Sequence, residues 1–274
     1  MPEGPEVSNI CKQLQAKIAG KTLIRIQFGP HARHTGLDII PLPLEIMSVS
    51  SRGKRIVFET SAGWIVTFLA MTGRYLFQPL KHSHLEFVFG QMEALGDFNL
   101  EMPEFSIFYD DSRRFGKVEY LPDQASFDNY FSKFGWDLLK YEPTTEEFLH
   151  LVRDRARPMT EVSTFLLKPE YNSSIGNYLC SEILYYARIH PARRLGTLSE
   201  VEIERLRICC VKVTRYSDRK GGLTIEDYLT PDGQRGGYPN VCYGRSQDPQ
   251  GRQIVTAKFA NGRTSYWVPE LQRL

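Results

Sequence analysis

The hydrophobic period of the chain changes near its middle. Up to residue 121, apolar residues come in short runs rich in Val, Ile, Phe, Tyr and Trp, bounded by Gly, Pro and Ser. The runs 22–28, 55–60, 64–77, 85–89 and 105–121 read as strands, and several short strands in succession predict a β-sandwich. Beyond residue 144 the period becomes helical, over 144–156, 176–189 and 199–216, with Ser199 and Glu202 spaced as a capping box. One helix precedes the strands. Val7, Ile10, Cys11, Leu14 and Ile18 recur at helical spacing, Pro5 suits a first turn and Gly20 a stop. Residues 253–269 alternate again around Asn261-Gly262, a hairpin signal. The expected fold is α+β with two domains. A helix plus antiparallel β-sandwich occupies 1–122, a polar linker 123–137, a helical domain 138–239 and a β-hairpin 240–274.

The length of 274 residues suits two ordinary domains. No apolar run reaches the roughly 18–20 residues of a membrane span and no signal peptide opens the chain, so the expectation is an intracellular protein without a membrane partner. The five cysteines, Cys11, Cys180, Cys209, Cys210 and Cys242, are scattered and odd in number, which predicts free thiols in a reducing compartment. No C-x-x-C occurs, so no metal site of cysteines is expected. The net charge of +2 hides an asymmetry: 205–274 holds twelve Lys/Arg against six Asp/Glu. A basic final third suits a polyanionic partner, although charge alone leaves a plain solvated surface equally open.

The first residues, MPEGPEV, crowd Glu3 and Glu6 between Pro2 and Pro5. Removal of the initiator Met would leave Pro2 with a free secondary amine. An α-amino group titrates near ~7.7–8, so a neutral nucleophilic fraction exists at physiological pH. Its attack on an aldehyde-like sugar carbon gives an iminium ion with no N–H to lose, a cationic electron sink of the Schiff-base kind. Glu3 could donate a proton as the sugar ring opens. Taken alone, PEGPE is more often a polar N-terminal cap than a nucleophile.

Other segments bear on that choice. MPEGPEV, SRGKR (51–55), AMTGRYLF (70–77), KHSH (81–84), DSRRFG (111–116), SIGNYLCSEILYYARIHP (174–191), GGLTIEDYLTPDGQRGGY (221–238), CYGR (242–245) and NGRTSYW (261–267) stand in the order of the formamidopyrimidine-DNA glycosylase/endonuclease VIII family, which the chain resembles over nearly its whole length. The resemblance implies a bifunctional DNA glycosylase and abasic-site lyase of base excision repair that needs no cofactor. Its partners would be double-stranded DNA carrying a damaged base or abasic site, and single-stranded DNA, bound by a monomer. Pro2 matches the nucleophile, Glu3 the acid at the deoxyribose and Lys54 a lysine near the sugar and phosphate. Glu6 and Glu182 match glutamates near the lesion pocket, Glu182 orienting the proline end. Met71, Arg113 and Phe115 match residues that fill the void left by an extruded base. His84 (or His82), Asn177 and Arg263 match DNA phosphate contacts, Asn177 lying in a helix–two-turn–helix element where Gly176 lets a phosphate approach.

Simpler readings stand beside these. Lys54 would be a surface charge in a β-turn, Glu6 a helix-end interaction, Met71 core, Phe115 a buried sheet residue, Asn177 a helix cap and Arg263 one more exposed cation. With only Cys242 in the final segment, the resemblance leans to the zincless-finger endonuclease VIII-like branch, and with it to oxidised pyrimidines and hydantoins. The segment 221–238 resembles instead the lesion-capping loop of enzymes acting on oxidised purines and formamidopyrimidines. A non-catalytic damage-binding protein is the alternative class. A helix-turn-helix regulator fits poorly, because the basic residues are spread through loops.

Overall fold

The computed structural model describes the whole chain except residues 96–97 and 224–229, so part of the expected 221–238 loop lies outside the described residues. The chain forms two compact units. The first holds Met1–Pro2, Glu6–Ser132 and, of the described residues, 230–236; the second holds Glu3–Pro5, Lys133–Leu223 and Gly237–Leu274.

Most of α1 (Gly4–Ile18), from Glu6 on, belongs to the first unit; its stripe Val7, Ile10, Cys11, Leu14 and Ile18 is buried and its exit is turned by Gly20 at φ +72°. The strands are β1 (Thr22–Phe28), β2 (His34–Thr35), β3 (Leu44–Arg52), β4 (Arg55–Thr60), β5 (Gly63–Phe68), β6 (Arg74–Leu76), β7 (Ser83–Leu95), β8 (Phe98–Asp110) and β9 (Lys117–Leu121). They hydrogen-bond in the order β2-β9-β5-β4-β3-β1-β7-β8-β6. β1 pairs with β3 at only two positions, Thr22↔Glu45 and Leu23↔Leu44, and the order divides there into two layers. Across the interior Phe58 of β4 meets Phe87 of β7 and Tyr75 of β6, strands that are not neighbours in the sheet, so the layers form a sandwich. All pairs are antiparallel except the short β2–β9 contact, which is parallel.

Four sequence expectations change here. The runs 64–77 and 105–121 are not continuous strands: each breaks at a tight turn, 69–73 and 111–116, that the apolar residues on either side mask. The run 85–89 lengthens to Ser83–Leu95, because most of its added length is exposed hairpin with little apolar alternation. β3 is a strand that the sequence reading does not mark. The expected linker 123–137 contains a real helix, α2 (Gln124–Phe131), started by the Asp123 carboxylate accepting the Ser126 N–H at 2.7 Å.

The second unit contains α3 (Thr145–His150), a π-helical turn (Leu151–Arg155), α4 (Val162–Leu167), α5 (Asn177–Ala187), α6 (Glu200–Arg219) and the hairpin β10 (Val255–Lys258)–β11 (Thr264–Trp267). The capping boxes at Thr144/Glu147 and Ser199/Glu202 are both formed. The hairpin is fastened to its own unit by aromatic packing: His190 meets Phe259 and Trp267, and Tyr243 meets Tyr266. Beneath it Tyr185, Cys242, Ile254 and Val268 make a small buried cluster. Among the described residues no helix is long and apolar enough to cross a membrane, and no group of His, Cys, Asp or Glu could hold a metal ion.

Candidate active site

In the second unit the Glu3 side chain caps α5. Its carboxylate accepts backbone N–H bonds from Gly176 at 2.7 Å, Tyr178 at 2.9 Å and Leu179 at 3.3 Å. These are orphan donors of a helix start, and the helix dipole favours a negative charge there. Nearby, the Gly4 N–H bonds to Ser174 O at 2.9 Å. Gly176 is required by this approach: a Cβ on it would sit 2.3 Å from Glu3 Cδ. The Gly176 N–H is thus taken by the Glu3 carboxylate, which is the anion at this helix end. Pro2, one residue away, is buried, so the chain start is not a loose end. Asn177 does not cap the helix; its side-chain N–H donates to Thr264 O at 3.0 Å and ties α5 to β11. Arg263 is exposed in the turn between β10 and β11, and its N–H donates to Asn261 Oδ1.

Glu182, expected at the proline end, is fully buried on α5 and engaged elsewhere. It accepts the N–H groups of Val241, Cys242 and Tyr243 at 2.8–2.9 Å and the Tyr238 hydroxyl at 3.2 Å. Burial raises its carboxyl above the usual value, against the pull of those four donors. Its structural work is to organise the segment from Tyr238 to Tyr243 that leads to the hairpin.

In the first unit Glu6 is fully buried in the first turn of α1. Lys54 sits in a two-residue turn between β3 and β4, where Arg52 pairs with Arg55 and Gly53 takes φ +59°. It is not a surface charge, being only 8% exposed. Met71 and Phe115 depart from their simpler readings in the opposite sense, at 42% and 57% exposure. Both sit on the turns that break the expected strands, and Arg113, exposed beside them, donates from Nη1 to Met71 Sδ at 3.7 Å. His84 is 3% exposed, its Nδ1 on His82 O and its Nε2 without a partner. A bulge between Ser83 and Leu85 turns His84 and Leu85 both inward. The exposed histidine of KHSH is His82. Sequence reasoning gave no role to Thr72 or Asp111, whose hydrogen bonds hold these turns; no composition or spacing signal marks them.

The family model described as Formamidopyrimidine-DNA glycosylase N-terminal domain matches residues 1–118. A formamidopyrimidine-DNA glycosylase of Thermomicrobium roseum is 31% identical over 295 aligned positions, covering all of both chains. This chain belongs to the formamidopyrimidine-DNA glycosylase family. A second family member, from Exiguobacterium sp., is 29% identical over the full length of both. The crystal structure of the MutM (Fpg) protein from Thermus thermophilus superposes with a TM-score of 0.87 at 25% identity, covering 99% of this chain and 98% of that one. A Lactococcus lactis family structure, an Fpg mutant complexed with Fapy-dG-containing DNA, shares the fold at TM-score 0.85 and 23% identity, each chain fully covered.

Proposed function

We propose that this family member is a bifunctional DNA glycosylase and abasic-site lyase acting on damaged DNA through a Pro2 amine. The observation that carries the reading is the seat of Glu3: three amides fix the residue next to Pro2, so a nucleophile at the chain start has a rigid mount. Once Met1 is removed, the neutral Pro2 nitrogen attacks C1′ of the damaged nucleotide and the base leaves with the bond electrons. The nitrogen then gives up its proton. Glu3 takes that proton and passes it to the sugar ring oxygen. Ring opening leaves an iminium, whose positive nitrogen draws electrons from the C2′–H bond. The 3′ phosphate departs, then the 5′ phosphate in a second elimination. Lys54 is the cation assigned to the phosphate being lost. Met71, Arg113 and Phe115 occupy the space of the extruded base, Glu6 belongs to the lesion pocket, and Arg263, Asn177 and the histidines of KHSH serve the DNA backbone.

Formamidopyrimidines and oxidised purines are the proposed lesion class, supported by the relatives' names over the full chain length. Oxidised pyrimidines and hydantoins are the second reading. It is favoured by the hairpin, which rests on aromatic packing and whose strands contain no cysteine, as in a zincless finger. Oligonucleotides each carrying one defined lesion separate the two. Borohydride trapping on abasic DNA tests the chemistry: wild type with a verified proline terminus should crosslink, and Pro2→Gly should lose most of it. A wild type that never crosslinks leaves a damage-binding protein without catalysis.

A further inference from the structure

The residues proposed to enter the duplex come from two turns far apart in sequence. The turn 69–73 carries β5 into β6, and the turn 111–116 carries β8 into β9. β5 pairs with β9 through Phe68↔Lys117, and β6 pairs with β8 through Arg74↔Asp110. Both turns therefore cross between the two layers side by side, at one edge of the sandwich.

Asp111 ties them together. It is fully buried, and its Oδ1 accepts the hydroxyl of Thr72 from the first turn and the N–H of Arg113, at 3.2 Å, from the second. Its Oδ2 accepts the N–H of Gly116 at 2.8 Å. Thr72 Oγ1 also receives the Arg113 N–H at 3.3 Å, so each turn holds the other. Behind this network stands the Tyr109 hydroxyl, in space that two glycines leave open. A Cβ on Gly73 would fall 2.5 Å from that oxygen, and one on Gly116 1.9 Å from it.

We infer that Asp111 is a positioning residue that locks the two turns into one frame, so that Met71, Arg113 and Phe115 enter a duplex together. Asp111 touches neither sugar nor base; it acts through the residues it holds. A carboxylate is suited to this, since it accepts several donors at once and bonds to a charged acceptor are the stronger ones. The inference rests on the DNA-opening reading above, and its test separates the two.

Two variants are needed. Asp111→Asn turns an amide N–H₂ toward donors that require an acceptor. Thr72→Val removes the link between the turns while keeping shape and leaving the carboxylate in place. Both should crosslink to an abasic site in single-stranded DNA as wild type does, because nothing need be extruded there. On a damaged base in a fully paired duplex both should be slower by roughly tenfold or more. Mispairing the neighbouring base pairs lowers the cost of unstacking and should restore much of the lost rate. Equal losses on single-stranded and duplex substrates, or no loss on the duplex, would overturn the inference. A wild type that crosslinks to nothing would sink the glycosylase reading instead. The frame is then decided by amide hydrogen exchange. The Arg113 N–H should exchange faster in both variants and that of Gly116 faster in Asp111→Asn, with β5–β9 amides unchanged; wild-type exchange at these sites would overturn it.

Discussion

The carboxylate of Glu3 accepts the N–H of Gly176 at 2.7 Å across a sequence separation of 173 residues. That bond makes the start of the chain part of a helix cap formed by its second half. Glycine is what permits it, since a methyl at position 176 would overlap the Glu3 carboxyl carbon.

Gly176→Ala should therefore displace Glu3 and leave the first amides of α5 without their acceptor. A lost cap of this kind costs about 2 kcal/mol. Urea unfolding should show that loss, and crosslinking to abasic DNA should fall with it because Pro2 loses its mount. Unchanged stability would mean that the helix end finds another partner and that the Glu3 seat is not tight.

Glu182→Gln makes a different demand. Glutamine keeps the size but offers one acceptor oxygen where the carboxylate offers two. At least one of the amides of Val241, Cys242 and Tyr243 should lose its partner in a buried place, at about 1–3 kcal/mol. The segment 238–243 should loosen first, so hydrogen exchange there should quicken while the β-sandwich stays protected. Equal acceleration in both units would refute a local role for Glu182.

The pH dependence of stability should bend near neutrality. His84 and His190 both lie below the ordinary histidine value, in each case because burial disfavours the charged ring. Arg114 adds to this for His84, against the His82 carbonyl, and Arg193 adds to it for His190. A lowered histidine is neutral in the folded chain while its unfolded counterpart takes a proton below pH ~6.5. Stability from these residues is complete above that pH and declines as pH falls toward the folded values. Denaturant unfolding from pH 7.5 to 5.5 should show the decline, and a His84→Phe/His190→Phe double variant should flatten it. A wild-type curve level across that range would contradict the lowered values of both rings.

Much of this architecture can be read from residue patterns, and the parts that cannot share a cause. α1, α5 and α6 carry apolar stripes and end signals within their own segments, so they stand out. The breaks at 69–73 and 111–116 do not, because apolar residues flank both turns and let each side read as one run. What fixes them is tertiary: the Asp111 carboxylate and the Thr72 hydroxyl, bonded across the two turns. The same holds at the candidate site. The crowding of Glu3 beside Pro2 marks the terminus as unusual, yet nothing local reveals that its counterpart lies at residue 176. His84 and Lys54 look exposed because polar neighbours surround them, while a bulge and a two-residue turn direct both inward.

The Tyr109 oxygen between Gly73 and Gly116 leaves no room for even one added carbon at either turn. Residues 71, 113 and 115 point outward and have space around them. Substitution at the three exposed tips should therefore be tolerated structurally, while the scaffold underneath tolerates almost no change. If the proposed function holds, changes meant to alter what this protein binds should begin at those three exposed positions.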